Sequence, residues 1–186
     1  METIYNVIDL LKQIIDDYNI ILGLLLAFII IIFESIIPIL PSGLFIALIV
    51  LLFGDILGLF ICYLGTIIGC LLSYWLKIRY KNHEKMEKLI TIVSDIELSK
   101  LTILLSFPFT PAFPINIAAG LAKMPLKKFL IACLISKAAT VYFWGYVGES
   151  FERSIKNPST IINIVIILII TFIISKIVTK KMKFNL

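Results

Sequence analysis

The chain has 186 residues, of which 60% are hydrophobic and 16% charged, and its formal net charge is +5. Its apolar residues come in blocks of about bilayer length, which a soluble core of this size does not need, so the composition excludes a soluble globular protein and indicates one integral membrane domain. The basic residues flank those blocks and form no face interleaved with aromatics, which excludes nucleic acid as a partner.

In chain order, METIYNVIDLLKQIIDDYN opens without a basic n-region, and no small-residue cleavage pattern follows, so it is not read as a signal peptide. Ile4, Ile8, Leu11 and Ile15 recur at helical spacing opposite Asp9, Lys12, Asp16 and Asp17. Residues 1–18 are therefore expected to form an amphipathic helix at the interface, held by its apolar face because its acidic charge gains nothing from anionic lipid.

Uncharged runs follow at residues 18–33, 35–54, 56–76, 101–122 and 157–175, while 129–148 is interrupted only by Lys137. Residues 77–100 contain Lys77, Arg79, Lys81, Lys85, Lys88 and Lys100, and the tail contains Lys176, Lys180, Lys181 and Lys183. By the positive-inside rule both are cytoplasmic. Three apolar blocks lie between them. If all three crossed, the tail and the cluster Lys123, Lys127 and Lys128 would emerge outside.

The first of these blocks contains SFPFTPAFPINIAAG, with Pro108, Pro111 and Pro114 spaced by three. Proline inside a helix removes a backbone hydrogen bond and costs about 3 kcal/mol, so this block is read as a re-entrant loop that dips in and returns. Applied backwards, the same count makes residues 56–76 an inward crossing. ESIIPILPSG, with Pro38 and Pro41 again three apart, becomes a second re-entrant loop, entered from the outer side after a first crossing near residues 19–33. The expected fold is all-α: four spanning helices, two opposed re-entrant hairpins, both termini cytoplasmic. Its divisions are the interfacial helix at 1–18, a membrane domain at 19–156, and a spanning helix with a basic tail at 157–186.

Irregular backbone at membrane depth survives only where it is buried in protein or lines a wet cavity. Helix-start signals follow each proline group, Ser42 in the first and Asn116 in the second. Half-helices so placed turn their N–H groups and dipoles toward the midplane, where an anionic group such as a lipid phosphate would bind. Lys137 lies nine residues past Lys128, about 13 Å along a helix. A buried ammonium there requires a partner or a water-filled pocket; Glu34 is the first candidate partner and Asp55 the second. The ladder Gly54, Gly58, Gly65, Gly69 and Ser73 indicates close helix contact. Tyr74, Trp75 and Tyr80 at one end, and Tyr142, Trp144 and Tyr146 at the other, read as interfacial belts. Cys62, Cys70 and Cys133 have no paired spacing and read as buried hydrophobes, and His83 as a solvated residue in a charged stretch. No cofactor or metal is implied.

The order of FESIIPILPSG, FGDILGLFICYLGTIIG, PFTPAFPINIAAGLAKMPLKKF and YFWGYVG resembles the DedA superfamily, also called VTT-domain or SNARE-associated Golgi proteins, over about residues 30–150. That resemblance implies opposed re-entrant hairpins and movement of lipids between leaflets, of polyprenyl phosphate or phospholipid, by a flippase or scramblase. Glu34 matches the acidic position before the first hairpin; Pro111, Pro114, Asn116 and Gly120 match the second-hairpin pattern, and Asp55 matches less closely. Many members have an arginine before the second proline group, where this chain has Ser106, Phe107 and Pro108.

The leading expectation is a lipid translocator of the plasma membrane, with membrane lipids of anionic headgroup as partners; protons and a second copy of the chain are further candidate partners. The alternatives are a proton- or ion-coupled carrier of a small solute and a non-transporting membrane organiser. An enzyme is not expected, because no HExxH, GxSxG or Cys/His constellation supplies a nucleophile with a base.

Overall fold

The computed structural model describes residues 13, 19–37, 42–76, 84–156 and 159–182. The expected interfacial helix (apart from Gln13), Pro38, Pro41, Lys77, Arg79, Lys81 and His83 lie outside these residues. The described residues are all-α: α1 (Ile20–Ile36), α2 (Ser42–Trp75), α3 (Glu84–Ser94), α4 (Leu98–Ser106), α5 (Ala112–Leu121), α6 (Leu126–Lys156) and α7 (Ser159–Lys181).

Two chain reversals organise the molecule. In α2, Gly54 has φ 78° and ψ 171°, a conformation open essentially to glycine alone. There the helix folds back on itself: a Cβ added to Gly58 would lie 2.7 Å from Val50 Cα. The first limb, residues 42–53, thus runs against the second, residues 55–75. The second reversal joins α4 to α5. Phe107, ahead of Pro108, has φ −77° and ψ 128°, the extended backbone that proline imposes on its predecessor, and α4 stops there.

The glycine ladder acts as its spacing predicts, except that Gly54 forms the turn. Gly65 packs on Phe28 and Ile31, Gly69 on Ile32 and Ser35, and Ser73 Oγ donates to Gly69 O and to Ser35 O at 2.8 and 3.2 Å. Higher numbers on α1 meet higher numbers on the second limb, so the two run parallel. A first crossing at 19–33 followed by an opposite crossing at 56–76 would have made them antiparallel. This corrects the expected topology: α1 is the first limb of a hairpin whose second limb is residues 42–53. Among the described residues, three helices, Ser42–Trp75, Leu126–Phe151 and Thr160–Lys181, are long and apolar enough to cross a membrane, whereas α1 has 17 residues.

α6 runs antiparallel to the second limb. Phe129 stacks on Tyr74 with ring centroids 4.9 Å apart, Tyr63 OH donates to Leu134 O at 3.0 Å, and Gly145 lies against Leu59. α4 runs alongside α6 in the same direction: Lys128 Nζ donates to Ile96 O at 2.5 Å at its start, and Thr140 Oγ1 lies 3.3 and 3.2 Å from Leu105 O and Ser106 O at its end. α5 returns to the starting level, where Tyr74 OH donates to Met124 O at 2.7 Å. With 9 and 10 residues, α4 and α5 are about 13 and 15 Å long, half the length of a crossing.

Two apolar clusters result. Ala27, Ile31, Ile46, Ile49, Val50, Cys62, Val141 and Trp144 form one at the Gly54 end. Tyr74, Val93, Leu101, Ile115, Phe129 and Cys133 are among those forming the other, against which Val178 of α7 and Met182, just past its end, pack. Tyr74 and Trp144 are therefore core residues and not belt residues, a correction to their expected placement; Trp75, Tyr142 and Tyr146 are exposed. Cys62, Cys70 and Cys133 are buried free thiols.

Candidate functional site

Between the two clusters lies a cavity of about 440 Å³. The end of α1 supplies Glu34, the start of α2 supplies Ser42 and Gly43, the turn between α4 and α5 supplies Pro108, Thr110 and Pro111, α5 supplies Pro114 and Asn116, and α6 supplies Lys137, Thr140 and Trp144. The turn between α4 and α5 stops a helix where its neighbours are long, so polar backbone collects at this level. Thr140 covers part of it. It faces the carbonyls of Leu105 and Ser106, whose helix cannot continue through Pro108, and also lies 3.0 Å from Ser136 O.

The side chains of the site are buried yet incompletely bonded. Glu34 is 8% exposed, Asn116 1%, Thr110 9%, Trp144 8% and Lys137 9%. Glu34 Oε2, Thr110 Oγ1, Asn116 Oδ1 and Trp144 Nε1 have no hydrogen-bond partner. A buried polar atom without a partner costs about 1–3 kcal/mol, and four bordering one cavity leave it open to a polar occupant. Glu34 and Lys137 share the cavity within electrostatic reach of each other, but no ion pair joins them. Two helix N-termini face the same space, that of α2 at Ser42 and Gly43 and that of α5 at Ala112 and Phe113. Their dipoles favour negative charge.

The structure thus brings together Glu34, Ser42, Pro108, Pro111, Pro114, Asn116 and Lys137. Asn116 does not start its helix: α5 begins at Ala112 with Pro111 as its N-cap, because proline fits the start of a helix, where its missing N–H costs nothing. Asn116 instead turns a buried amide to the cavity. Asp55 is exposed beside the Gly54 turn, and Gly120 is buried near the C-terminus of α5; neither lines the cavity. Thr110, Thr140 and Trp144 were missed as site residues. Thr110 was the most legible of them, as the polar residue between two prolines of the broken block.

A profile of the VTT domain matches residues 37–150, the stretch that runs from the end of α1 through the α6 residues of the cavity. The chain belongs to the VTT-domain family. This agrees with the resemblance drawn from the motif order. The VTT-domain chain is also 24% identical over 165 residues to "Uncharacterized membrane protein YhjE" of Bacillus subtilis (strain 168), covering 83% of this chain and 80% of that protein. No solved structure matches it. The residues lining the VTT-domain cavity from Ser42 to Trp144 fall inside the matched region, whereas Glu34 and Ser35 precede it.

Proposed function

We propose that this protein moves phosphate-bearing lipids between the leaflets of the plasma membrane without covalent chemistry. The observation that carries the reading is the cavity itself, where Lys137 and two helix N-termini converge and polar atoms are left without partners. In the arrangement this implies, residues 55–75, α6 and α7 cross the bilayer. Residues 20–37 with residues 42–53, and residues 98–121, enter as re-entrant hairpins from opposite faces. Lys100, Lys123, Lys127, Lys128, Lys180 and Lys181 lie toward one end of the molecule, which the positive-inside rule makes cytoplasmic. A polar path that opens to both leaflets lowers the cost of carrying a headgroup through hydrocarbon.

The test is purified protein in liposomes with a fluorescent phospholipid, read by chemical bleaching of the outer leaflet. Wild-type protein should make nearly all of the label accessible, and Lys137→Met should slow this severalfold. Absence of exchange by folded wild-type protein would refute the proposal. The burial of Glu34 beside Lys137 supports a second reading, a proton-coupled carrier of a small solute. Solute uptake in vesicles that show no lipid exchange would favour it.

A further inference from the structure

The three buried free thiols are not equivalent. Tyr74 of α2 stacks on Phe129 of the antiparallel α6, and one turn further along each helix, where residues four apart share a face, Cys70 comes opposite Cys133. A second turn brings Thr66 opposite Lys137, and both border the cavity. Cys70 and Cys133 are fully buried in one apolar cluster and hydrogen-bonded to each other. Cys70 also borders the cavity and accepts a hydrogen bond from the Asn116 amide. Cys62 lies apart, in the other cluster.

Two facing thiols at a polar cavity are a pair of soft ligands, and the charges around them select what they can hold. Lys137 acts electrostatically on both sulfurs. The N-termini of α2 and α5 each turn about half a positive charge on the same space, whereas Glu34 brings a negative one. Even with Glu34 ionised, the surroundings therefore keep an excess of about one positive charge. Two thiolates around a monovalent cation carry one net negative charge and cancel it. A divalent cation would leave the excess in place, and it would lack donors: structural zinc takes four ligands, but among the described residues no three His, Cys, Asp or Glu side chains gather to hold a metal. Thiolate sulfur favours soft ions such as copper(I).

We infer that Cys70 and Cys133 form a two-coordinate site for a soft monovalent cation of the copper(I) class, bridging α2 to α6 at the wall of the cavity. Binding forms two metal–sulfur bonds and releases the two thiol protons to solvent, with no change of oxidation state. The Asn116 amide steadies the Cys70 sulfur, and Lys137 supplies the counter-charge. The site stands independently of lipid movement, because its ligands are thiols that no headgroup needs.

The probe is copper(I), kept reduced by ascorbate without oxygen and offered as its bicinchoninate complex to the purified full chain in detergent. Wild-type protein should withdraw one copper per chain, and X-ray absorption at the copper edge should show two sulfur neighbours. Silver(I) should displace the copper, whereas an equal amount of zinc(II) should not. Cys70→Ala and Cys133→Ala should each weaken binding by about a hundredfold or more, beyond what groups merely supporting a metal ligand contribute, while Cys62→Ala should bind as wild type does. Failure of wild-type protein to compete for copper, nitrogen or oxygen neighbours in place of sulfur, displacement by zinc, or undiminished binding by folded Cys70→Ala would each overturn the inference. The wild-type spectrum decides the matter even where a variant fails to fold.

Discussion

Lys137 and Glu34 show how burial changes the meaning of a charge. An ammonium 9% exposed needs polar company, and here its company is a cavity bordered by an acid and unpartnered polar atoms. Asp55, also an acid near an apolar block, is exposed and meets none of these constraints, so Asp55→Asn should leave transport unchanged. For the buried pair we predict that Glu34→Gln and Lys137→Met each impair lipid exchange more than they lower thermal stability in detergent, because shape is largely kept while charge is lost. A double-mutant cycle on exchange should give an interaction energy of about 0.5–1.5 kcal/mol, in the lower half of the range for coupled residues, since the two share a field and not a contact. Strict additivity of the two losses would show that they act independently.

At the scale of elements, the three prolines of the second reversal prove unequal, and the structure says which one makes the break. Pro108 follows the last turn of α4 and removes the N–H that would have bonded to Leu104 O. Pro111 caps α5, and Pro114 sits in the first turn of that helix, where proline is tolerated. Pro108→Ala should therefore lengthen α4 into the cavity and reduce exchange severalfold, whereas Pro114→Ala should be nearly neutral in both exchange and stability. Equal losses in the two variants would mean that the spacing matters more than the position of each proline. Helical content by circular dichroism, read alongside exchange, separates these outcomes. The break itself was legible, because three prolines so closely spaced cannot all sit inside one continuous helix without orphaning backbone carbonyls in hydrocarbon. The partition of roles was not, since it depends on where α5 starts, and Asn116 offered a better-looking cap than Pro111. The role of α1 was hidden for a separate reason. Its apolar residues look alike whether the helix meets a parallel or an antiparallel neighbour, and its direction is fixed by Gly65 and Gly69 against Ile31 and Ser35, contacts between distant parts of the chain.

At the scale of the whole molecule, the parallel packing of α1 with residues 55–75 has a topological consequence that the count of lysines alone did not reach. Asn19 and the Gly54 turn belong to one end of the molecule. Lys123, Lys128, Lys181 and Met182 belong to the other, tied together by the Lys128 bond to Ile96 O, by the packing of Met182 on the cluster that contains Met124, and by the groove that Ile96 shares with Lys181. The second hairpin keeps Lys123 and Lys181 on one side, as the positive-inside count requires. The first hairpin, built from α1 itself, puts Asn19 at the opposite end of the molecule, whereas the expected first crossing over residues 19–33 would have started at the lysine-rich end. Single cysteines report this directly, provided that they are introduced into a chain whose Cys62, Cys70 and Cys133 have been replaced by alanine or serine. In intact cells treated with a membrane-impermeant maleimide, Asn19→Cys and Asp55→Cys should react, while Lys123→Cys and Lys181→Cys should react only after the membrane is opened. Protection of Asn19→Cys together with Lys123→Cys would restore a separate first crossing and remove α1 from the hairpin. Reaction of Lys123→Cys from outside with Lys181→Cys protected would instead turn the second hairpin into a spanning segment, and the cavity would lose the chain reversal that supplies Thr110 and Pro111.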